Sequence, residues 1–117
     1  MRFRRPAAAP NVNNSQLNAP TQMHIAILQV RLRLPSRTLK EKRTIVRSVV
    51  ERLRNRFNAS VSEAGDLDQV GFALIAAACI SNDGAHAESQ AQAMADAIED
   101  WRLDAEVLDV SIERIAL

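Results

Sequence analysis

The stretch from Ser36 to Asn58, SRTLKEKRTIVRSVVERLRNRFN, constrains this chain more than any other. Thr38 precedes Glu41 at the spacing of a capping box, in which each residue satisfies an orphan amide at a helix start. Asn58 follows Phe57 and is expected to close the helix in the left-handed conformation. At about 100° per residue, Leu39, Val46, Val49, Val50, Leu53 and Phe57 fall on one arc, with Ile45 at its margin. Lys40, Arg43, Arg47 and Arg54 fall on the adjacent arc, about 60° wide. The apolar arc has to cover a core. The basic arc has to face solvent, an acidic neighbour or an anionic partner.

The flanking segments supply the sheet for that core. In Met23–Leu34, Ala26, Leu28, Val30, Leu32 and Leu34 alternate on one face, and Ile25, Ile27, Gln29, Arg31 and Arg33 occupy the other. Pro35 ends the strand. Ala59–Ala64 reads as an edge strand with Ala59 and Val61 inward and Ser60 and Ser62 outward. Gly65–Gly71 is a hairpin loop, where Asp66 and Asp68 are turn residues rather than cation ligands, because no further carboxylates accompany them. Phe72–Ile80 is apolar on both faces, as a central strand should be. Asn82 or Asp83 caps a second helix over roughly Gly84–Arg102. Its inner face is Ala87, Ala91, Met94, Ile98 and Trp101, with small residues expected to bring it close to the first helix. In the last strand, Glu106–Ile115, Leu108, Val110 and Ile112 should point inward, and Asp109, Ser111 and Glu113 outward.

The order strand, helix, strand, strand, helix, strand predicts an α+β, ferredoxin-like domain. Right-handed crossovers place both helices on one face of a four-stranded antiparallel sheet, with the first and third strands central. The other face is left open. Ile25, Ile27, Ala73, Ile75, Ala77 and Cys79 are expected at its apolar centre, with Arg31 and Arg33 toward one end.

Of 117 residues, 23–117 are assigned to this domain. Residues 1–22 hold three of the four prolines and few large apolar side chains, and are expected to be a disordered N-terminal extension, or a segment upstream of a natural start at Met23. No segment resembles a membrane span, which needs about 18 apolar residues. The single cysteine, Cys79, excludes an intrachain disulfide and agrees with a cytoplasmic setting. Cys79 reads as a core residue, since no neighbouring base would activate it. Isolated His24 and His86 do not make a metal site, and no cofactor is expected.

Charge is distributed unevenly. Residues 1–56 carry 13 of the 15 Lys/Arg and only Glu41 and Glu51, a net +11, whereas residues 57–117 carry Arg102 and Arg114 against 12 Asp/Glu, a net −10. Such a chain can attract an anion or its own kind, or can fold so that its halves face each other.

The runs MHIAILQVRLRLP, SRTLKEKR, RNRFNASVSE and ISND resemble the YlxP-like bacterial domain of unknown function over about Met23 to Ile115. Leu39–Arg43 and Arg54–Phe57 are the most specific pieces. The resemblance implies a ferredoxin-like fold and a chain beginning near Met23. It also implies genes often lying among those for translation and ribosome assembly. Members often carry an aromatic in the hairpin loop, near Val70, which this chain lacks.

Two functions compete. In the first, Lys40, Arg43, Arg47 and Arg54, helped by Arg31, Arg33 and Arg37, contact the phosphates of ribosomal RNA or a ribosomal subunit. With no Tyr, three Phe and one Trp, the sheet lacks the stacking aromatics of an RRM, and no GXXG loop of the KH type is present. Binding would therefore read backbone and shape. In the second, the open face, through Ile25, Ile27, Ala73, Ile75 and Ala77, pairs with a second copy in a homodimer or with another protein, and the charges serve pairing. An enzyme is not expected. Acylphosphatases share the element order and hold phosphate with backbone amides and an Arg before the first helix. Arg37 occupies that loop here, but Leu34–Thr38 has no glycine to form a cradle.

Overall fold

The computed structural model describes residues 22–101 and 104–117, so the extension expected over residues 1–22 lies, but for its last residue, outside the described residues. Strand β1 (His24–Arg33) leads into helix α1 (Leu39–Arg56), strands β2 (Ser60–Gly65) and β3 (Phe72–Ser81), helix α2 (Gly84–Asp100) and strand β4 (Glu106–Ala116). The strands form one antiparallel sheet in the order β2-β3-β1-β4. This is the expected ferredoxin-like α+β fold, with β1 and β3 central and β2 and β4 at the edges.

Local chemistry sets the helix ends. Thr38 Oγ1 accepts the Glu41 N–H at 3.1 Å, and Glu41 Oε2 reaches back to the Arg37 N–H at 3.1 Å, one residue beyond the usual partner. Asp83, not Asn82, caps α2, its carboxylate accepting the Ala85 and His86 amides. The expected left-handed Asn58 is absent. The backbone turns extended at Phe57, with φ −123° and ψ 146°, and only Asp66 and Asp104 adopt positive φ among the described non-glycine residues.

Ala26, Leu28, Val30 and Leu32 of β1 are buried beneath Val46, Val49 and Leu53 of α1 and Ala87, Ala91 and Met94 of α2. Each large aliphatic side chain so buried contributes about 1.5–3 kcal/mol. The parity of β3 is the reverse of expectation. Ala73, Ile75, Ala77 and Cys79 are at most 3% exposed and belong to the core rather than to the open face. The register explains this. Cys79, Ala77, Ile75 and Ala73 lie directly opposite Ala26, Leu28, Val30 and Leu32, and opposite residues share a face. Burial holds the Cys79 thiol above its usual pKa, which keeps it protonated and unreactive.

The alanines of α2 bring it close to β1, β3 and β4 rather than to α1. At its start, a side chain on Gly84 would run into the Arg114 guanidinium, which crosses there to pair with Glu88 at 3.0 Å. In β4 the register with β1 shifts between Arg31 and Leu32. Val110 and Ile112 lie opposite Val30 and Leu28, on the helix side. Leu108 falls at the bulge and, like Val110, stays more than a third exposed, so it does not enter the core as expected.

Candidate nucleic-acid interface

The seven basic residues grouped by sequence separate into three environments. Arg37, Lys40, Arg43 and Arg47 are exposed along the outer side of α1 and the loop that enters it. Lys40, Arg43 and Arg47, three and four residues apart on the helix, stand on one side by the 3.6-residue period, and Arg37 lies just before the N-cap Thr38. Among the described residues the ion pairs are Arg31–Asp66, Arg33–Glu106, Lys42–Glu63 and Arg114–Glu88, and none involves these four. Two of the carboxylates of α2 are turned to other uses. Glu88 takes Arg114, and Asp96 accepts the Gln92 amide at 3.0 Å.

Arg54 shares the exposed side, but its Nη2 donates to the Val61 carbonyl of β2 at 2.7 Å. It ties the end of α1 to an edge strand. Arg31 and Arg33 are on the face of the sheet away from the helices. Arg31 Nε lies 3.3 Å from Asp66 Oδ2, and Arg33 Nη1 lies 3.6 Å from Glu106 Oε2. Both guanidinium groups sit over the Phe72 ring, 5.6 and 5.7 Å from its centre. The other two described aromatic rings are also occupied. Arg52 lies 5.5 Å from the centre of Trp101, and Arg56 lies 5.5 Å from that of Phe57.

One basic residue escaped the sequence reading. Lys42 is fully buried, with Nζ 3.0 Å from Glu63 Oε2. That carboxylate oxygen is itself buried and outside hydrogen-bonding geometry, so the contact is ionic rather than a directed bond. Lys42 Nζ donates to the Asp66 carbonyl and lies 3.4 Å from that of Leu67. It therefore pins the β2–β3 loop. Ser36 Oγ donates to the Val70 carbonyl at 2.6 Å, and the Leu34 N–H to the Gly71 carbonyl at 2.8 Å. Asp66, at φ 58°, makes the turn. The Asp66 carboxylate thus serves Arg31.

The open face grades from apolar to charged. Ile115, Ile25 and Ile80 form one row across β4, β1 and β3, and Ile80 is 63% exposed. Ile27 and Ala78 follow, then Gln29 and Ala76, then Arg31 and Leu74, then Arg33 and Phe72. Because Ala76 and Ala78 are small, shallow hollows of about 300 and 230 Å³ run beside Ser60, between β2 and the isoleucines of β1. Of the expected interface residues, Ile25 and Ile27 are on this face. Ala73, Ile75 and Ala77 are not.

The family model described as Protein of unknown function (DUF503) matches residues 25–112. The chain belongs to that family. Its matched segment runs from β1 into β4 and takes in the outer side of α1 and all of the open-face row but Ile115. No curated protein matches the chain. Among the described residues of this DUF503 domain, no three His, Cys, Asp or Glu side chains cluster as metal ligands, and no helix is long and apolar enough to cross a membrane.

Proposed function

We propose that this DUF503 protein is a non-enzymatic accessory factor that binds RNA or a ribosomal subunit in the cytoplasm through the outer side of α1. The observation that carries this reading is the contrast in pairing. Arg31, Arg33, Lys42 and Arg114 each have a carboxylate partner, while Arg37, Lys40, Arg43 and Arg47 are exposed and have none among the described residues. Cations aligned on a helix face gain most from a phosphate backbone, where each contact releases condensed counterions. The YlxP-like resemblance, with its translation-linked gene neighbours, agrees with this partner. The test is the triple variant Lys40→Ala/Arg43→Ala/Arg47→Ala in a sedimentation assay with ribosomal subunits and in anisotropy titrations with structured RNA. Loss of both associations at low salt, with melting unchanged, supports the reading. Undiminished association rejects it.

A second reading is favoured by a separate observation, the row Ile115–Ile25–Ile80 on the sheet face that no helix covers, in which Ile80 and Ile115 are exposed and Ile25 is half-buried. Exposed apolar patches mark interaction surfaces, and a second copy of the chain or a protein partner would cover this one. Ile80→Glu should then abolish association in sedimentation velocity without unfolding the domain. A wild type that stays monomeric at high concentration, with no partner recovered from cells, removes this reading.

A further inference from the structure

We infer that the RNA taken by the outer side of α1 is double-helical, held by its phosphates, and not a single strand held by its bases. This rests on the RNA reading above and specifies its ligand. Proteins that hold single strands combine a basic groove with aromatic faces on which bases stack. Among the described residues, no free aromatic face lies beside the basic row of α1. Every described aromatic ring is covered by a guanidinium group: Phe72 by Arg31 and Arg33, Trp101 by Arg52, and Phe57 by Arg56. The two arginines over Phe72 are themselves held by Asp66 and Glu106, so opening that ring to a base would break two ion pairs. Phe72 is also on the sheet face opposite the helices, remote from the basic side of α1.

The basic side chains stand on a convex surface. At about 1.5 Å rise per residue, Lys40, Arg43 and Arg47 form a straight row about 10 Å long on a rigid rod. A flexible strand would have to give up its freedom to lie along such a row, and no stacking contact would offset that loss. A duplex presents its phosphates already ordered, flanking grooves into which a convex helix side can settle, and duplex RNA is recognised chiefly through phosphate and 2′-hydroxyl contacts rather than base edges. Glu51 limits the row. It is exposed four residues after Arg47 on the same side of α1, where it would repel a backbone held by Arg43 and Arg47.

The experiment compares the full chain's affinity for an RNA hairpin of about 16 base pairs, the span of a duplex-binding domain, with that for an unstructured single strand of equal phosphate count. Anisotropy is read across a salt series. The hairpin should bind at least about tenfold more tightly, with a log–log salt slope near −3 to −4 from about four phosphate contacts. Arg43→Ala should make that slope shallower by about one unit. Glu51→Gln should tighten hairpin binding severalfold. Phe72→Leu, which removes the ring but keeps its apolar bulk, should leave hairpin affinity within about twofold. Equal or tighter binding of the single strand, still weakened by Arg43→Ala, overturns the duplex inference and leaves the RNA reading standing. Binding of neither probe at low salt overturns both.

Discussion

Lys40 and Lys42 are two residues apart on one helix, and their surroundings are opposite. Lys40 stands in solvent beside Arg43 and Arg47. Lys42 is sealed beneath the β2–β3 loop with Glu63 and two backbone carbonyls. The same ammonium group is a surface charge in one place and a structural tether in the other. The difference teaches that a count of basic residues says little about binding capacity. What matters is which side of the helix each occupies and whether the fold has already supplied its counter-charge.

The sharpest way to break this contrast is Lys42→Ala. It would leave Glu63 with its buried oxygen uncompensated and the loop carbonyls without their donor. Removing one member of a buried pair typically costs about 3–5 kcal/mol, and because Glu63 keeps some exposure we expect about 3 kcal/mol in a denaturant titration. The double change Lys42→Met/Glu63→Leu should recover the part of that loss that comes from the uncompensated Glu63, since two apolar side chains of similar volume can replace a buried pair, but not the part from the loop carbonyls. A Lys42→Ala protein as stable as wild type would place Lys42 with Lys40, at the surface.

Arg54→Ala comes next. It removes the donor to the Val61 carbonyl and should cost about 1 kcal/mol, with a smaller effect on RNA affinity than Arg43→Ala has. If its effect on binding matches that of Arg43→Ala and its stability is unchanged, Arg54 belongs with the outer row after all. The smallest stability effects are expected at Arg43 and Arg47. Either alanine variant should melt within about 0.5 kcal/mol of wild type, because both side chains are exposed and neither makes an ion pair among the described residues. The same variants should lose RNA affinity, so the ranking by stability and the ranking by binding run in opposite directions along one helix.

Much of this was legible in the residues, and the misses have physical causes. The alternation of β1 and the apolar arc of α1 placed Ala26, Leu28, Val30, Leu32, Val46, Val49 and Leu53 in the core, where they are. The parity of β3 was not legible. Both its faces are apolar, so alternation cannot say which one meets the helices, and only the register with β1 decides. Lys42 carried a signal that went unread. It precedes Val46 by four residues, Val49 by seven and Leu53 by eleven, inside the apolar arc, and Glu63 continues the inward phase of Val61 in β2. A lone charge of each sign on two inward faces is the pattern of a buried pair. Arg31 and Arg33 could be seen to alternate outward, but not to share Phe72 or to meet Asp66 and Glu106, because those contacts join residues far apart in the chain. At the candidate site, the row Lys40–Arg43–Arg47 was visible from helical spacing alone. Its lack of carboxylate partners was not.

The stitching of the β2–β3 loop bears on how the domain comes apart. Donors from Leu34, Ser36 and Lys42, spread over the end of β1 and the first turn of α1, all close on carbonyls between Asp66 and Gly71. The first strand–helix unit and the following hairpin are therefore latched at a shared corner, and neither can open there without releasing the other. In native-state hydrogen exchange the Leu34 amide, although it lies past the end of its strand, should exchange with the slow central strands rather than with the turns. Lys42→Ala should release it into the fast-exchanging class before the rest of β1 follows.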